Sequence, residues 1–345
     1  MFFLFKSVKF LIKIVLVISF FLFWLFILFN WPVEKRNSKM ALGVTFSDFY
    51  ARELDLDWPK AYLAILDDLG VKKIRLAAYW SEIEKKPGEY DFSDLDWQIK
   101  EAEKRKIEVI LALGIKVPRW PECFVPEFYQ KDEAKRREQL LVYEKILLER
   151  YKNSPAIKIW QIENEPFLSF GDCPVGFVKA EILDQEIAQV RKIDGTRPIL
   201  TTDSGELSWW YQAAKRGDIF GTTLYRKLYS PRFGYITYPI GPNFFRVKQW
   251  IIKKITPQKN FLIIELQAEP WGSTTIKQMS LEEQFQTMDE YKLQENIVFA
   301  QKTGFPIAYL WGAEWWYWLK EKRGYPAAWE TAKNLFQNNE MVEEK

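Results

Sequence analysis

Between residues 41 and 340, short apolar runs alternate with stretches in which apolar residues recur every three or four positions. The short runs are typical of buried strands, and the longer period is typical of amphipathic helices. Eight runs have strand character: 41–46, 72–77, 108–113, 157–162, 198–202, 219–224, 261–265 and 306–311. Strands that alternate with helices form parallel sheets, and eight such units in one domain predict a closed α/β barrel, the (β/α)8 or TIM barrel.

Several helices between these runs are marked by their apolar period and their ends. The best-marked one has apolar residues at positions 58, 62, 65, 66 and 69; Asp57 and Pro59 introduce it and Gly70 ends it. Two further helices run through 140–151 and 329–336. Only 206–217 can supply a helix between the fifth and sixth strands, which is a short connection for such a barrel.

The N-terminal segment differs, because residues 10–31 are almost entirely apolar. At about 1.5 Å per residue this run is long enough to cross a bilayer, and no small-residue cleavage motif directly follows it. The sequence predicts a basic flank at 1–9, an uncleaved transmembrane signal anchor at 10–31, a linker at 32–40 and one barrel at 41–340. Basic residues lie on both sides of the span, but a short flank before a large domain favours a single-pass membrane protein with an extracytoplasmic barrel.

Composition narrows the possible chemistry. The chain has 49 basic and 46 acidic residues, a net charge of +3 that argues against nucleic acid as the main partner. It contains no histidine, which excludes Ser-His-Asp and Cys-His nucleophiles and the H-E-x-x-H zinc site. Carboxylates, lysine, tyrosine and cysteine remain for acid/base work, and the sequence predicts neither a metal nor a cofactor.

Two strand ends carry carboxylates where a barrel places its working residues. Glu165 follows the fourth predicted strand, and Glu265 ends the seventh. A glycosidase needs two carboxyl groups beside one bond, one protonated to assist the leaving oxygen and one ionised to attack the anomeric carbon. At a separation of about 5–5.5 Å the like charges raise one of the two pKa values, which keeps that group protonated near neutral pH.

Short motifs fall on the strands where this chemistry is expected. They are Asn164-Glu165-Pro166 after the fourth strand, Glu265 at the end of the seventh, and the segments 74–76, 79–84 and 87–92. Together they resemble glycoside hydrolase clan A, particularly families 5, 35 and 42, over roughly residues 41–335. The resemblance implies a retaining mechanism with Glu165 as acid/base and Glu265 as nucleophile.

The same resemblance implies roles for four neighbours. Asn164 is expected to bind the sugar 2-hydroxyl, Arg75 to support the nucleophile, and Tyr225 to hydrogen-bond it. Trp311, at the end of the eighth strand, is expected to form the aromatic floor under the reacting sugar. Many family 5 members place one or two histidines around this site, so the absence of histidine is a departure from that family.

Three assignments have alternatives in the sequence. Glu163 lies one strand alternation from Glu165, on the same face, and its ordinary interpretation is a buried carboxylate paired with Arg or Lys. Glu269, in Ala-Glu-Pro-Trp, echoes the first motif but lies in a loop beyond the seventh strand. Arg75 has the alternative of an ordinary interior salt bridge.

Aromatic residues favour a carbohydrate cleft. Flat aromatic faces stack on the C–H faces of sugar rings, although core packing is the ordinary alternative for any one tryptophan. Trp80 and Glu314 are predicted to contact the substrate. Tryptophans at loop positions, among the 16 in the chain, include Trp80, Trp120, Trp209, Trp210, Trp271, Trp315, Trp316 and Trp318.

The two cysteines of the chain, Cys123 and Cys173, follow the third and fourth strands by short loops. Adjacent strands bring such loops to the same face, so the sequence predicts a disulfide, with two unrelated free thiols as the alternative. An oxidising compartment agrees with an outward-facing barrel.

The sequence thus predicts a retaining glycoside hydrolase that cleaves β-glycosidic bonds of an oligo- or polysaccharide by double displacement. Its expected partners are the carbohydrate substrate and a lipid bilayer. Two alternatives use the same barrel: a non-catalytic glycan-binding protein, and an envelope transglycosylase that uses the same carboxylates. Loop shape selects the sugar, so the sequence names neither sugar nor linkage.

Overall fold

The computed structural model describes residues 2–34, 40–169, 171–174 and 177–343. Its strands are β1 Ala41–Thr45, β2 Lys73–Ala77, β3 Glu108–Leu113, β4 Ile157–Ile162, β5 Ile199–Asp203, β6 Ile219–Leu224, β7 Lys227–Ser230, β8 Gly234–Thr237, β9 Asn260–Gln267 and β10 Ile307–Trp311. Eight of them form a closed parallel barrel in the order β1-β10-β9-β6-β5-β4-β3-β2. This topology confirms the predicted (β/α)8 barrel.

Helices cover the outside of the barrel, and the best-marked one begins as predicted. The Asp57 side chain caps the helix by accepting a hydrogen bond from the Lys60 N–H, and a proline lies in the first turn. Both residues that predicted the start of this helix therefore have the expected role. The helices are α1 Phe2–Phe29, α2 Asp48–Glu53, α3 Trp58–Asp67, α4 Trp80–Ile83, α5 Ser93–Lys104, α6 Glu127–Gln130, α7 Glu133–Tyr151, α8 Ala180–Ile193, α9 Tyr211–Ala214, α10 Pro242–Ile255, α11 Leu281–Thr287, α12 Glu290–Thr303, α13 Ala313–Arg323 and α14 Ala327–Glu343.

The two faces of the barrel strands bury different clusters. Successive strand residues point to opposite faces, so Ile110 packs inside the barrel while Val109 and Leu111 pack against the helices. Space inside is tight, because a Cβ atom at Gly43 would lie 2.7 Å from the Tyr309 ring. The interior cluster consists of Ile110, Leu200, Leu262, Ile264 and Tyr309.

The hairpin β7-β8 was not predicted from the sequence. It follows β6 at the carboxyl end of the barrel and is antiparallel. The Gln267 side chain at the end of β9 fixes its base: the amide oxygen accepts from the N–H groups of Arg226 and Lys227, at 2.8 and 2.9 Å. The hairpin therefore stands on the same rim as the strand ends.

The N-terminal helix has the length and composition to cross a membrane. Residues Ile12–Phe29 have a mean hydropathy of 2.8, and none of this window is buried against the rest of the chain. The helix begins at Phe2, inside the predicted flank, and ends at Phe29, two residues before the predicted end of the span. Residues 35–39 of the predicted linker lie outside the described residues.

The last turn of α1 contacts the start of α10. The Phe29 ring meets the Phe244 ring edge-on at 5.1 Å, and the Asn243 side chain donates to the Leu28 carbonyl at 2.8 Å. Helix α10 begins after β6 and the β7-β8 hairpin, so its first residues lie at the carboxyl end of the barrel. The end of α1 therefore meets the barrel near this rim.

Candidate active site

A sharp turn at the end of β4 presents Glu165. The strand ends at Ile162, and both Glu163 and Glu165 then adopt left-handed backbone angles, with φ of 59° and 45°. Such angles are rare for residues other than glycine and cluster at functional sites. The Glu165 N–H donates to Thr202 Oγ1 at 2.9 Å, which ties the turn to the neighbouring strand β5.

The turn sends the two glutamates in different directions, so the prediction that they share a strand face is wrong. Glu163 accepts from the backbone N–H groups of Ile115 and Lys116, at 2.8 and 2.6 Å, rather than from an Arg or Lys side chain. Glu165 instead accepts from Thr223 Oγ1 on β6, at 3.3 Å. Strand alternation fails here because the strand has already ended.

Glu265 lies on β9 and is held by two donors. Its Oε1 accepts from Arg75 Nη1 at 2.7 Å, and its Oε2 accepts from the Tyr225 hydroxyl at 3.0 Å. The carboxyl group is buried, at 3% exposure. The structure thus brings Arg75 and Tyr225 to the residue that the sequence expected them to contact.

Arg75 joins the ends of three strands. It is fully buried, and besides Glu265 it donates from Nη2 to Asn164 Oδ1 at 2.7 Å and from Nε to Gln161 Oε1 at 2.8 Å. A guanidinium group offers a rigid fork of donors, so these bonds fix β2, β4 and β9 relative to one another. Asn164 and Glu265 are consequently held on one buried cation.

The two carboxyl groups have contrasting surroundings. Burial raises the pKa of Glu165 well above its usual range, and the nearby Glu265 and Glu122 carboxylates raise it further. Glu265 instead receives bonds from a cation and a hydroxyl. Burial and Glu265 also raise the pKa of Tyr225, so its hydroxyl keeps the proton that it donates. Glu165 is therefore suited to stay protonated, whereas Glu265 lies beside the positive charge of Arg75.

Trp311 ends β10 beside a buried cation. Its ring lies 4.2 Å from the Arg119 guanidinium, which also stacks on Tyr50 at 4.0 Å. Arg119 forms ion pairs with Glu269 and with Glu314, the latter at 2.7 Å. Glu269, the sequence alternative to Glu265, is therefore engaged in holding the side chain that supports Trp311.

Two residues predicted to contact substrate are turned away from the mouth. Glu314 is fully buried and accepts from the Ser47 N–H at 2.7 Å as well as from Arg119. Trp80 is also fully buried; its indole N–H donates to Glu84 at 2.6 Å, and its ring stacks on Tyr143. Both side chains lie in the first turn of a helix and pack in the core with no exposed surface, and their contact with a substrate stays a prediction.

The other loop tryptophans divide between core and surface. Core packing is the role of Trp210, Trp315, Trp316 and Trp318, none of which is more than 5% exposed. Trp271 packs edge-on against Tyr225 at 5.3 Å, next to the candidate site. Trp120 and Trp209 are exposed.

Sequence reasoning missed a third carboxyl group in this site, that of Glu122. It has 8% exposure, and its carboxylate lies 3.1 Å from the Lys116 ammonium. Lys116 also donates to the Glu165 carbonyl at 3.2 Å, which joins this pair to the turn. Burial, opposed by Lys116 and assisted by Glu265, raises the pKa of Glu122 to about 7. The charged residues just before Cys123 were the available signal.

The loops after β3 and β4 are joined through Cys123 and Cys173, which are paired as a disulfide with Cα atoms 5.0 Å apart. The bond lies directly after Glu122 in the chain. It therefore links the loop of the third carboxyl group to the loop that follows Glu165. Among the residues that the structure describes, no group of three or more Cys, Asp and Glu side chains is arranged to hold a metal ion.

Part of the chain matches a known enzyme family. A glycoside hydrolase family 42 model, described as beta-galactosidase, matches residues 55–146. This range includes Arg75 and Glu122 and ends before Glu165 and Glu265. The beta-galactosidase BgaA of Clostridium cellulovorans is 30% identical over a stretch that covers 36% of this chain and 22% of the relative. The chain thus spans less than a quarter of that relative's length.

Solved structures share the fold over most of the chain. A beta-galactosidase from the haloarchaeon Halorubrum lacusprofundi superposes with a TM-score of 0.56 at 16% identity, covering 87% of this chain and 58% of that one. A family 5 protein from Bifidobacterium longum has a TM-score of 0.56 at 12% identity, covering 79% and 70%. Together with the family match, these likenesses confirm that the chain resembles the glycoside hydrolases of clan A.

Proposed function

We propose that this protein is a retaining glycoside hydrolase that acts on β-linked sugars. The observation that carries the proposal is the contrast between the two carboxyl groups at the ends of β4 and β9. Glu165 is buried beside other carboxylates, whereas Glu265 accepts from Arg75 and Tyr225. Double displacement requires one carboxyl group of each kind.

In the first step, a Glu265 oxygen attacks the anomeric carbon from the face opposite the leaving group. As the glycosidic bond breaks, Glu165 transfers its proton to the departing oxygen, and an ester between sugar and Glu265 results. In the second step, Glu165, now ionised, removes a proton from water, and the water oxygen displaces Glu265. Two inversions at the same carbon give net retention.

The neighbours have supporting parts in this mechanism. Arg75 and Tyr225 hold Glu265 in position and compensate its charge before attack. Asn164, fixed by Arg75, is the proposed donor to the sugar 2-hydroxyl. Trp311, supported by the Arg119 guanidinium, is the proposed platform for the reacting ring.

A β-galactoside is the first substrate to test. The family model and the relative from Clostridium cellulovorans both carry the description beta-galactosidase. The matched range 55–146 leaves out the loops after β4 and the later strands, so aryl β-glycosides of glucose, mannose and xylose belong in the same screen.

The direct test uses phenyl β-glycosides and the full chain in detergent. Glu165→Gln and Glu265→Gln should each lower kcat/KM by about 1,000-fold, because acid/base and nucleophilic assistance are removed. Glu82→Gln, a change to an exposed glutamate on α4, is the matched control and should keep full activity. Nuclear magnetic resonance should detect the β-anomer as the first product. An α-anomer, or an active Glu265→Gln variant, would contradict the proposal.

We further propose that α1 is a signal anchor and that the barrel lies outside the cytoplasm. The support is the apolar window Ile12–Phe29, none of which is buried in the protein. Alkaline carbonate should leave the chain in the membrane pellet, and protease added to intact cells should digest the barrel. Release by carbonate, or protection from protease, would contradict this assignment.

A further inference from the structure

Apolar side chains are exposed on one side of the barrel rim. The loop between β5 and α9, residues 204–210, exposes 64% of Leu207 and 86% of Trp209. The tip of the β7-β8 hairpin exposes 69% of Phe233, with the Arg232 guanidinium 5.3 Å from its ring. Single exposed apolar residues are ordinary on protein surfaces, so the position of these residues is what carries the inference.

A chain of contacts links the 204–210 loop to the end of α1. Phe29 meets Phe244 at 5.1 Å, and the Lys248 ammonium, one helical turn further along α10, lies 5.1 Å from the same Phe244 ring. Lys248 donates to the carbonyls of Gly205 and Ser208, each at 2.6 Å. The loop that carries the exposed tryptophan is thereby held close to the point where α1 ends.

The base of the β7-β8 hairpin contacts the same end of α1. Pro239 follows β8 by two residues, and its carbonyl accepts from the Asn30 side chain at 3.2 Å, directly after the last residue of α1. The 204–210 loop, through Lys248 and Phe244, and the base of the hairpin, through Pro239, are therefore both tied to the end of the apolar helix. If α1 crosses a bilayer, both elements start close to the bilayer surface.

We propose that the 204–210 loop and the tip of the β7-β8 hairpin lie in the headgroup layer of the bilayer that α1 crosses. This inference rests on the proposed membrane anchoring. Tryptophan has an apolar body and one polar N–H, so it is favoured at the boundary between headgroups and acyl chains. The Arg232 and Phe233 pair fits the same layer, with the charge in the headgroups and the ring below them.

This orientation brings the candidate site close to the bilayer. Glu206, in the middle of the 204–210 loop, accepts from the Tyr225 N–H at 2.9 Å, and Tyr225 binds Glu265. The rim that touches lipid is thus in direct contact with a residue of the site. The substrate class that such a site favours is a glycan held at the membrane surface, such as one carried by a lipid.

The experiment measures the depth of spin labels on the full chain in nanodiscs of phosphatidylcholine and phosphatidylglycerol. Labels are placed separately at Trp209→Cys, Phe233→Cys, Ile18→Cys in α1 and Val142→Cys on α7. Val142, at 40% exposure, is the matched apolar position away from α10. The unmodified chain, whose two cysteines are paired, is labelled in parallel as the blank, and the thermal midpoint of each variant checks its fold.

We expect the labels at positions 209 and 233 to collide more with oxygen and less with a water-soluble nickel chelate than the label at 142. The label at 18 should be immersed more deeply than either. If the label at 18 is immersed while those at 209 and 233 match 142, the inference is overturned and the anchor stands. If the label at 18 is itself in water, anchoring and inference both fail, whereas the carboxylate assignments are unaffected.

Discussion

At the scale of single residues, the chemistry depends on what each carboxyl group touches. Arg75 and Tyr225 donate to different oxygens of Glu265, so each carboxyl oxygen accepts one hydrogen bond from them. Glu165 has one weak hydroxyl donor and carboxylate neighbours. The same residue type therefore has different surroundings across one barrel mouth: Glu265 accepts from a cation and a hydroxyl, whereas burial and neighbouring carboxylates raise the pKa of Glu165.

The hydroxyl of Tyr225 should matter for rate more than for stability. Tyr225→Phe keeps the ring that packs on Trp271 and removes the donor to Glu265. A hydrogen bond to a charged group is worth about 1.5–3 kcal/mol, so kcat/KM should fall by roughly 10- to 100-fold. Tyr229→Phe in the hairpin is the matched control. Equal losses in the two variants would refute a specific role for Tyr225.

Glu122 should influence the alkaline limb of the pH–rate profile, which reports deprotonation of Glu165 in the free enzyme. Above pH 7 Glu122 is ionised, and its charge raises the pKa of Glu165. Glu122→Gln removes that charge, so the limb should move to lower pH. Glu127→Gln, an exposed change in the same region, should leave the limb in place. An unshifted limb in Glu122→Gln would exclude this influence.

The sequence indicated the strand ends, and with them the residues that converge on Glu265. It did not indicate which side chains near the strand ends pack into the core instead of lining the site. Trp80 and Glu314 each lie three residues beyond the end of a strand, and long-range packing against Tyr143 or Arg119 holds them in the core. Glu122 was missed because it lies in the loop after β3, beyond the strand end, where its burial and its pairing with Lys116 depend on the fold of the loop.

At the scale of elements, β4 and the helices beside it share a buried acidic cluster. Glu163 from the β4 turn, Glu144 from α7 and Glu186 from α8 are all fully buried. Burial raises the pKa of Glu144 to about 8 and that of Glu163 to about 7, and it raises the pKa of Glu186 well above its usual range. Glu163, one member of this cluster, also begins the turn that presents Glu165.

This cluster predicts that stability decreases as pH rises. Unfolded glutamates lose their protons near pH 4.5, whereas these folded ones keep them to higher pH, so the stabilisation is complete below pH 4.5 and is lost up to about pH 8. Each retained proton contributes a slope of about 1.4 kcal/mol per pH unit. The thermal midpoint should therefore fall between pH 5 and pH 8.

Glu186→Gln removes one of these protons while keeping the shape of the side chain. Its thermal midpoint should fall less between pH 5 and pH 8 than that of the unmodified protein. Glu181→Gln, at an exposed position of the same helix, should reproduce the original slope. Identical slopes in all three proteins would show that the cluster does not hold protons in the folded state.

Element prediction succeeded where pattern and packing agree. β3, β4 and β6 have the predicted bounds, because apolar runs of that length are buried on both faces in a barrel. The β7-β8 hairpin was missed because its four-residue strands are only half-buried and show no apolar alternation. Its position depends on Gln267, a long-range contact that local sequence does not encode.

At the scale of the whole molecule, a bond between two loops joins the site together. The Cys123–Cys173 pair closes a segment of 50 residues that contains β4 and its glutamates. Iodoacetamide without reductant should leave the intact mass unchanged, and reduction should allow two additions. Reduction should also cost about 2–4 kcal/mol of stability. Two labelled thiols before reduction would contradict the pairing.

Azide separates the roles of Glu165 and Glu265 by the stereochemistry of the products. With an activated aryl β-glycoside that the unmodified protein cleaves, Glu265→Ala and azide should form the α-glycosyl azide, because azide attacks in place of the missing nucleophile. Glu165→Ala and azide should form the β-glycosyl azide by displacing Glu265 from the sugar ester. Nuclear magnetic resonance should therefore identify opposite anomers of the glycosyl azide from the two variants. The same anomer from both variants, or an α-azide from Glu165→Ala, would contradict it.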